Sequence, residues 1–237
     1  MNSNIALDNN NDLIDNNILV NNPGPYKGPY INTKLFTTVS LQPSQMDNKI
    51  YLNLKKNLEH SVKQKCYRDY GFIMDIYDIT NYKNGVILAE NLMTAALFDV
   101  SFSCRLCLPM KGMQIICQIY KVNKLLLTAV NGPIFVIVTK ERINNKVFFN
   151  DSNNNFRFKT PDNKHHKLDS KQFVKLTIDT ITFENGDKKI KVIGFLEDMA
   201  TDKEIENFYK ELYNKDDELV DFNEYAKLND NTIFSNT

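Results

Sequence analysis

Five short runs of apolar and β-branched residues lie between Met113 and Leu196, and the spacers between them leave the chain few ways to fold. The runs are Met113 to Val122, Leu125 to Val130, Ile134 to Val138, Phe173 to Phe183 and Lys188 to Leu196. Asn123-Lys124 and Asn131-Gly132-Pro133 are too short for a crossover, so the first three runs predict consecutive antiparallel strands. Glu184-Asn185-Gly186-Asp187 joins the last two, and its Asn-Gly pair favours a hairpin. A polar, Asn-rich stretch from Glu141 to Lys171 separates the two groups. It is longer than an ordinary connection and reads as loop around Val147-Phe148-Phe149 and Phe156-Arg157-Phe158. Three strands, an insertion and two strands predict a small closed β-barrel of the OB-fold kind.

The residues before the barrel carry a different pattern. Leu35 to Leu41 reads as a strand stopped by Pro43. Asp47 is placed to cap a helix in which Ile50, Leu54, Leu58, Val62 and Cys66 recur every fourth residue, joined by Tyr51. Its other face, with Lys49, Lys55, Lys56, Glu59, Lys63 and Lys65, reads as a solvated surface. Gly71 marks a turn into a strand from Ile73 to Ile79, and Lys83-Asn84-Gly85 leads to Val86 to Leu88. Phe98 to Leu108 follows, with Phe98, Val100, Phe102 and Cys104 on one face. The fold class is therefore α+β: an antiparallel sheet with one packed helix over residues 31–110, then the barrel over residues 111–200. Residues 1–30 are rich in Asn and Asp and end in Pro23-Gly24-Pro25-Tyr26-Lys27-Gly28-Pro29-Tyr30. Too little apolar surface is present there to offset chain entropy, which predicts a disordered tail. Residues 201–237 form an acidic extension in which Thr201-Asp202-Lys203-Glu204 has capping-box spacing. Ile205, Phe208, Tyr209 and Leu212 then mark one face of a short helix.

Composition removes several function classes. At 42% hydrophobic and 24% charged residues, the chain is neither collagen-like nor coiled-coil nor wholly disordered. With 29 basic and 29 acidic residues it predicts no global field for wrapping DNA. Charge is local instead: Lys140 to Lys171 holds eight Lys or Arg against four acids, and Asp202 to Glu224 holds nine acids against three lysines. The many asparagines and the shortage of Arg follow an AT-rich codon bias and carry no chemistry. The N-terminus lacks the features of a secretory signal, so the four cysteines predict a reducing compartment. Cys104 and Cys107 would point to opposite faces of a strand and cannot chelate one ion. His60, His165 and His166 add no ligand spacing, so neither metal nor cofactor is expected. No apolar stretch approaches the ~20 residues of a membrane helix.

No nucleophile elbow, phosphate-cradling glycine loop or zinc-protease pair occurs. Asp75 and Asp78 lie three apart in an expected strand, so their carboxylates should diverge as structural surface acids. The barrel region offers binding chemistry instead. Lys121, Lys124, Lys140, Arg142, Phe149, Arg157, Phe158 and Lys159 combine rings that stack on bases with cations that neutralise phosphates.

Further strings run in a fixed succession: Leu41-Gln42-Pro43-Ser44, Tyr51-Leu52, Tyr70-Gly71-Phe72-Ile73 and Pro109-Met110-Lys111-Gly112. Then come Asn131-Gly132-Pro133 leading into Phe135-Val136-Ile137-Val138-Thr139, Phe148-Phe149-Asn150, and Ile193-Gly194-Phe195. This succession, from about Phe36 to Ala200, resembles the stalk subunit of multisubunit RNA polymerases, the family of the seventh-largest subunit of RNA polymerase II and its archaeal counterpart. The resemblance implies a tip domain that docks on the polymerase core beside the clamp, and an S1-like barrel projecting near emerging RNA. It implies a catalytic role for neither part. Docking carries over to Tyr70, Gly71 and Phe72, and weak, sequence-tolerant contact with nascent RNA to the barrel. The implied partners are the large polymerase subunits and a fourth-subunit-like stalk protein. The chain departs from the family at Asn123-Lys124, where a glycine is usual, and in both tails. Ile205, Phe208, Tyr209 and Leu212 are expected to pack on the protein itself or on a neighbouring subunit, replacing part of the stalk partner's contacts. The codon bias and the tails suit a polymerase of a large DNA virus or of an AT-rich cellular genome, acting in the nucleus, in virus-associated cytoplasm or in the virion. The alternative is a free-standing S1-type RNA-binding module of translation or RNA decay.

Overall fold

The computed structural model describes residues 28–87, 94–151, 155–160, 164–213 and 219–220. Most of the tail expected over residues 1–30, and of the extension beyond residue 213, lies outside them. The first sheet is built from β1 (Tyr30–Leu41), β2 (Lys65–Tyr67), β3 (Gly71–Tyr82), β4 (Val86–Ile87) and β5 (Ala96–Cys107), with α1 (Ile50–Val62) between β1 and β2. β5 is central, flanked by β1 and β3 in antiparallel register, with β2 beyond β3 and β4 on the end of β5. Alternation sends Leu35 and Val39 of β1 and Val100, Phe102 and Cys104 of β5 into one core, which Leu54, Leu58 and Val62 of α1 close.

Three expectations change here. Cys66 does not continue the helical stripe: the helix stops at Val62, Gln64 takes a left-handed φ of 58°, and Cys66 is buried in β2. Asp47 braces the approach to α1 instead of capping it, accepting from Lys49 N at 2.9 Å and Asn53 Nδ2 at 3.1 Å, and Lys49 holds the cap position. Asp75 and Asp78 do not diverge. Register shifts at Ile73/Asp75 and Ile76/Asp78 add residues to β3 and reset its alternation. Both carboxylates therefore meet lysines at the helix: Lys63 Nζ is 2.7 Å from Asp75 and Lys55 Nζ is 3.3 Å from Asp78.

The second β system is a closed five-stranded barrel of β6 (Gln114–Val122), β7 (Leu126–Asn131), β8 (Ile134–Thr139), β12 (Phe173–Thr182) and β13 (Ile190–Met199). β8 and β13 are parallel neighbours and the other pairs are antiparallel, so the barrel has the expected three-plus-two order. Ile115, Cys117, Leu127, Ala129, Val136, Val138, Leu176 and Val192 alternate into its interior. The stretch from Glu141 to Lys171 is more than a loop. It forms a second, three-stranded sheet of β9 (Phe148–Asn150), β10 (Phe156–Lys159) and β11 (His165–Lys167). Phe148, Phe156 and Leu168 join the barrel core, which is why a polar stretch can hold a fixed shape.

This insertion leaves the C-terminal end of β8 and returns to the N-terminal end of β12, so it caps one end of the barrel. The opposite end meets the first sheet. Cys66 donates from its backbone N to Asp187 O at 2.7 Å and accepts from Gly186 N at 2.7 Å. Arg68 N donates to Asn185 Oδ1 at 3.0 Å. The hairpin turn read from Asn185-Gly186 is thus also the barrel's grip on β2. Tyr30, assigned to the tail from the sequence, is buried here and donates from its hydroxyl to Asn131 Oδ1 at 2.6 Å. Cys104 and Cys107 fall on opposite faces of β5, the first in the helix-facing core and the second at this junction.

After the barrel comes α2 (Asp202–Tyr213), followed by β14 (Leu219–Val220), which adds to β1 in parallel. The capping box forms: Thr201 N donates to Glu204 Oε2 at 2.9 Å, and Glu204 N to Thr201 Oγ1 at 3.4 Å.

Candidate nucleic-acid interface

β10 is the middle strand of the insertion sheet, and its alternation divides the candidate residues. Phe158 lies opposite Phe148 and His166, Arg157 opposite Phe149 and Lys167, and Lys159 opposite His165. Residues directly opposite share a face. Phe148, Phe156 and Phe158 therefore face the barrel core, while Phe149, Arg157, Lys159, His165 and Lys167 form the outward face. The Phe149 ring meets the His165 ring edge-on at 4.8 Å. Arg157 bonds the Asp151 carboxylate at 3.0 Å, and its buried Nε has no hydrogen-bond partner among the described residues. Lys159 and Lys167 are exposed, Lys167 only loosely held by Asp169 at 3.7 Å.

Lys167 also borders a groove of about 490 Å³ that runs to the β6–β7 hairpin, where Tyr120, Lys121 and Lys124 line it. Tyr120 is 66% exposed, an unusual state for a tyrosine on a strand. Lys140 sits at the same hairpin, its backbone N donating to Leu125 O at 3.3 Å, with its side chain in solvent. The outward sheet face and this groove make one continuous basic and aromatic track at the barrel end remote from the first sheet.

Two of the eight residues singled out from the sequence are placed elsewhere. Phe158 is half-buried on the inward face of β10, packed against the barrel core with the His166 ring at 5.6 Å. Arg142 is engaged by Asp179, and its guanidinium holds that carboxyl below the usual range. Conversely, Tyr120, His165 and Lys167 belong to the track and were missed. For His165 and Lys167 the signal was the register of β11 against β10, which the Asn-rich surroundings hid, and for Tyr120 it was the alternation of β6.

The three residues carried over for docking lie near the junction. Gly71 has a φ of 115°, and a Cβ there would stand 2.6 Å from the Cys107 carbonyl oxygen. Phe72 is buried in the barrel-side core, so its ring is used inside the chain. Tyr70 is half-buried and stacks on Tyr67 at 6.0 Å, which leaves it the accessible aromatic of the three. Farther from the junction the first sheet exposes Phe36, Tyr82, Val86 and Ile87. Ile205 and Leu212 are half-buried and Phe208 is buried, while Tyr209 is 44% exposed.

Among the described residues, no three His, Cys, Asp or Glu approach closely enough to hold a metal ion. What the track can do chemically is receive a flexible polyanion bearing flat rings, through stacking on Phe149 or Tyr120 and neutralisation by Lys159, Lys167, Lys121 and Lys124, beside an Arg157 already paired with Asp151. No protein-family model matches the chain. A protein of Acanthamoeba polyphaga mimivirus, named as a DNA-directed RNA polymerase subunit, is 35% identical to it over 179 residues, which is 76% of this chain and 87% of that protein.

Proposed function

We propose, since the chain belongs to a family of DNA-directed RNA polymerase subunits represented in a large DNA virus, that it is a noncatalytic stalk subunit whose barrel guides nascent RNA. The observation that carries this reading is the position of the basic and aromatic track. It lies on the barrel end farthest from the first sheet, so a protein held to a larger assembly through that sheet presents the track outward. Scattered exposed lysines around the open Tyr120 ring and the half-buried Phe149 ring suit weak, sequence-tolerant contact with a single strand. They do not form the enclosed pocket that selects a small substrate.

The first sheet is the docking half, an S1-like barrel the projecting half, and the large polymerase subunits the partners. Tyr70 and the exposed side chains of Phe36, Tyr82, Val86 and Ile87 supply apolar anchor area for that contact. The subunit acts wherever that polymerase transcribes, in the nucleus or in virus-associated cytoplasm.

Affinity purification of the tagged chain from transcribing cells tests the reading, combined with crosslinking of newly made RNA. Large polymerase subunits should be recovered in fixed stoichiometry, Val86→Asp with Ile87→Asp should reduce that recovery, and nascent RNA should crosslink to the segment from Phe149 to Lys167. Recovery of RNA without polymerase subunits would instead establish a free-standing RNA-binding module.

A further inference from the structure

The C-terminal segment touches both halves of the molecule. Helix α2 is 12 residues long, about 18 Å at the α-helical rise, enough to run from the outer part of the barrel back to the junction. At its start, Glu204 pairs with Lys175 of β12. In the middle, Phe208 is buried with the Phe173 ring 5.5 Å away, and Tyr209 meets the same ring at 5.8 Å. Near its end, Leu212 packs at the β7–β8 turn, its Cδ1 3.0 Å from where a Cβ on Gly132 would stand. Farther along the chain, Leu219 and Val220 pair with Asn32 and Thr33 of β1 in the first sheet.

Arg105 explains why this path is followed. It lies on β5 of the first sheet, is only 2% exposed, and stacks its guanidinium over the Tyr30 ring at 5.7 Å. Its Nη donates to the carbonyl oxygen of Glu211. That carbonyl belongs to the last turn of α2, where backbone oxygens have no intrahelical donor and the helix dipole is negative. A guanidinium stays charged at any physiological pH, so burying it requires such partners. The first sheet therefore carries a fixed cation that accepts the C-terminal end of a helix, and the barrel supplies the apolar wall that holds the helix in line.

We propose that the cleft between barrel and first sheet is a receptor for an amphipathic helix, and that this chain fills it with its own α2, latching the barrel's direction relative to the sheet. The occupant is matched on three counts: an apolar stripe of Ile205, Phe208 and Leu212, a carboxylate opposite Lys175, and a carbonyl-ended last turn opposite Arg105. With α2 in place, a second polypeptide has no access to the same cleft. Removing the helix opens it to a foreign helix of the same character.

Hydrogen exchange on the full-length chain tests the latch. Phe208→Ala removes the central anchor, and docking should weaken on the order of a hundredfold. The backbone amides of Cys66, Arg68 and Leu108, which bond across or beside the junction, should then exchange at least tenfold faster, while the amide of Ile119 inside the barrel keeps its protection. Unchanged junction amides in a variant whose α2 amides exchange freely would overturn the proposal. If that variant fails to fold, a protease site inserted after Ala200 allows the folded wild-type chain to be nicked. The released segment should remain bound through gel filtration and be displaced by excess synthetic peptide of residues 201–220. Its immediate separation, with junction amides still protected, would equally refute the latch.

Discussion

Gly71 shows how one residue can determine a junction. Its positive φ and the 2.6 Å approach of the Cys107 carbonyl leave no room for a side chain, because the obstacle is backbone and cannot rotate away. Gly71→Ala should lower unfolding free energy by about 1–3 kcal/mol, read from urea denaturation. At the opposite end of the barrel, the proposed RNA contact sets the predictions for single residues. Phe149→Ala should weaken single-stranded RNA binding by about 1–3 kcal/mol if one base stacks there. Lys159→Ala should reduce the slope of log affinity against log salt by about 0.7, the share of one phosphate contact. Arg142→Ala should leave both quantities unchanged, since Asp179 already engages that charge. Fluorescence anisotropy across a salt series separates the three outcomes.

At the scale of elements, α2 depends on its first turn. Thr201→Ala removes the acceptor for Glu204 N and should cost about 1 kcal/mol, visible as faster amide exchange along the helix. Partial burial pushes the Glu204 carboxyl up, but bonds from Lys175 and from the Thr201 backbone and hydroxyl outweigh it and hold the group below its ordinary value. A carboxyl lowered in the folded state adds stability that is complete above its unfolded value and is lost as pH falls through the folded one. Acid titration should therefore loosen α2 before the barrel unfolds, and Glu204→Gln should flatten that response. A second element, the insertion sheet, owes its shape to three inward side chains, Phe148, Phe156 and Leu168. Apart from Phe149, its outward residues are polar, because they face water.

The whole molecule is two β systems in contact at a junction that α2 also reaches. The four cysteines are buried within it, and burial pushes the thiols of Cys66 up to about 11 and Cys104 up to about 12. Thiolate is the reactive form, so alkylation with iodoacetamide at mildly alkaline pH should be slow in the native protein and rapid after unfolding. Mass spectrometry of the labelled chain checks this, and a native-state label on Cys66 in the Phe208→Ala variant would mark opening at the junction.

The barrel was legible from residues alone because its strands alternate, its turns are short, and Asn185-Gly186 chooses a hairpin locally. The α1 stripe of Leu54, Leu58 and Val62 and the α2 capping box were legible for the same reason: helix period and caps are properties of near neighbours. The outcomes for Asp75, Asp78 and Phe158 were not. A bulge resets which face a carboxylate takes, and a side chain's exposure on β10 depends on which surface the insertion sheet lies against. The track of Phe149, Lys167 and Tyr120 likewise exists only after β10, β11 and the β6–β7 hairpin meet, across as many as 47 positions of sequence. Local energies determine the elements, whereas long-range packing selects among faces that are equivalent until a partner surface covers one of them.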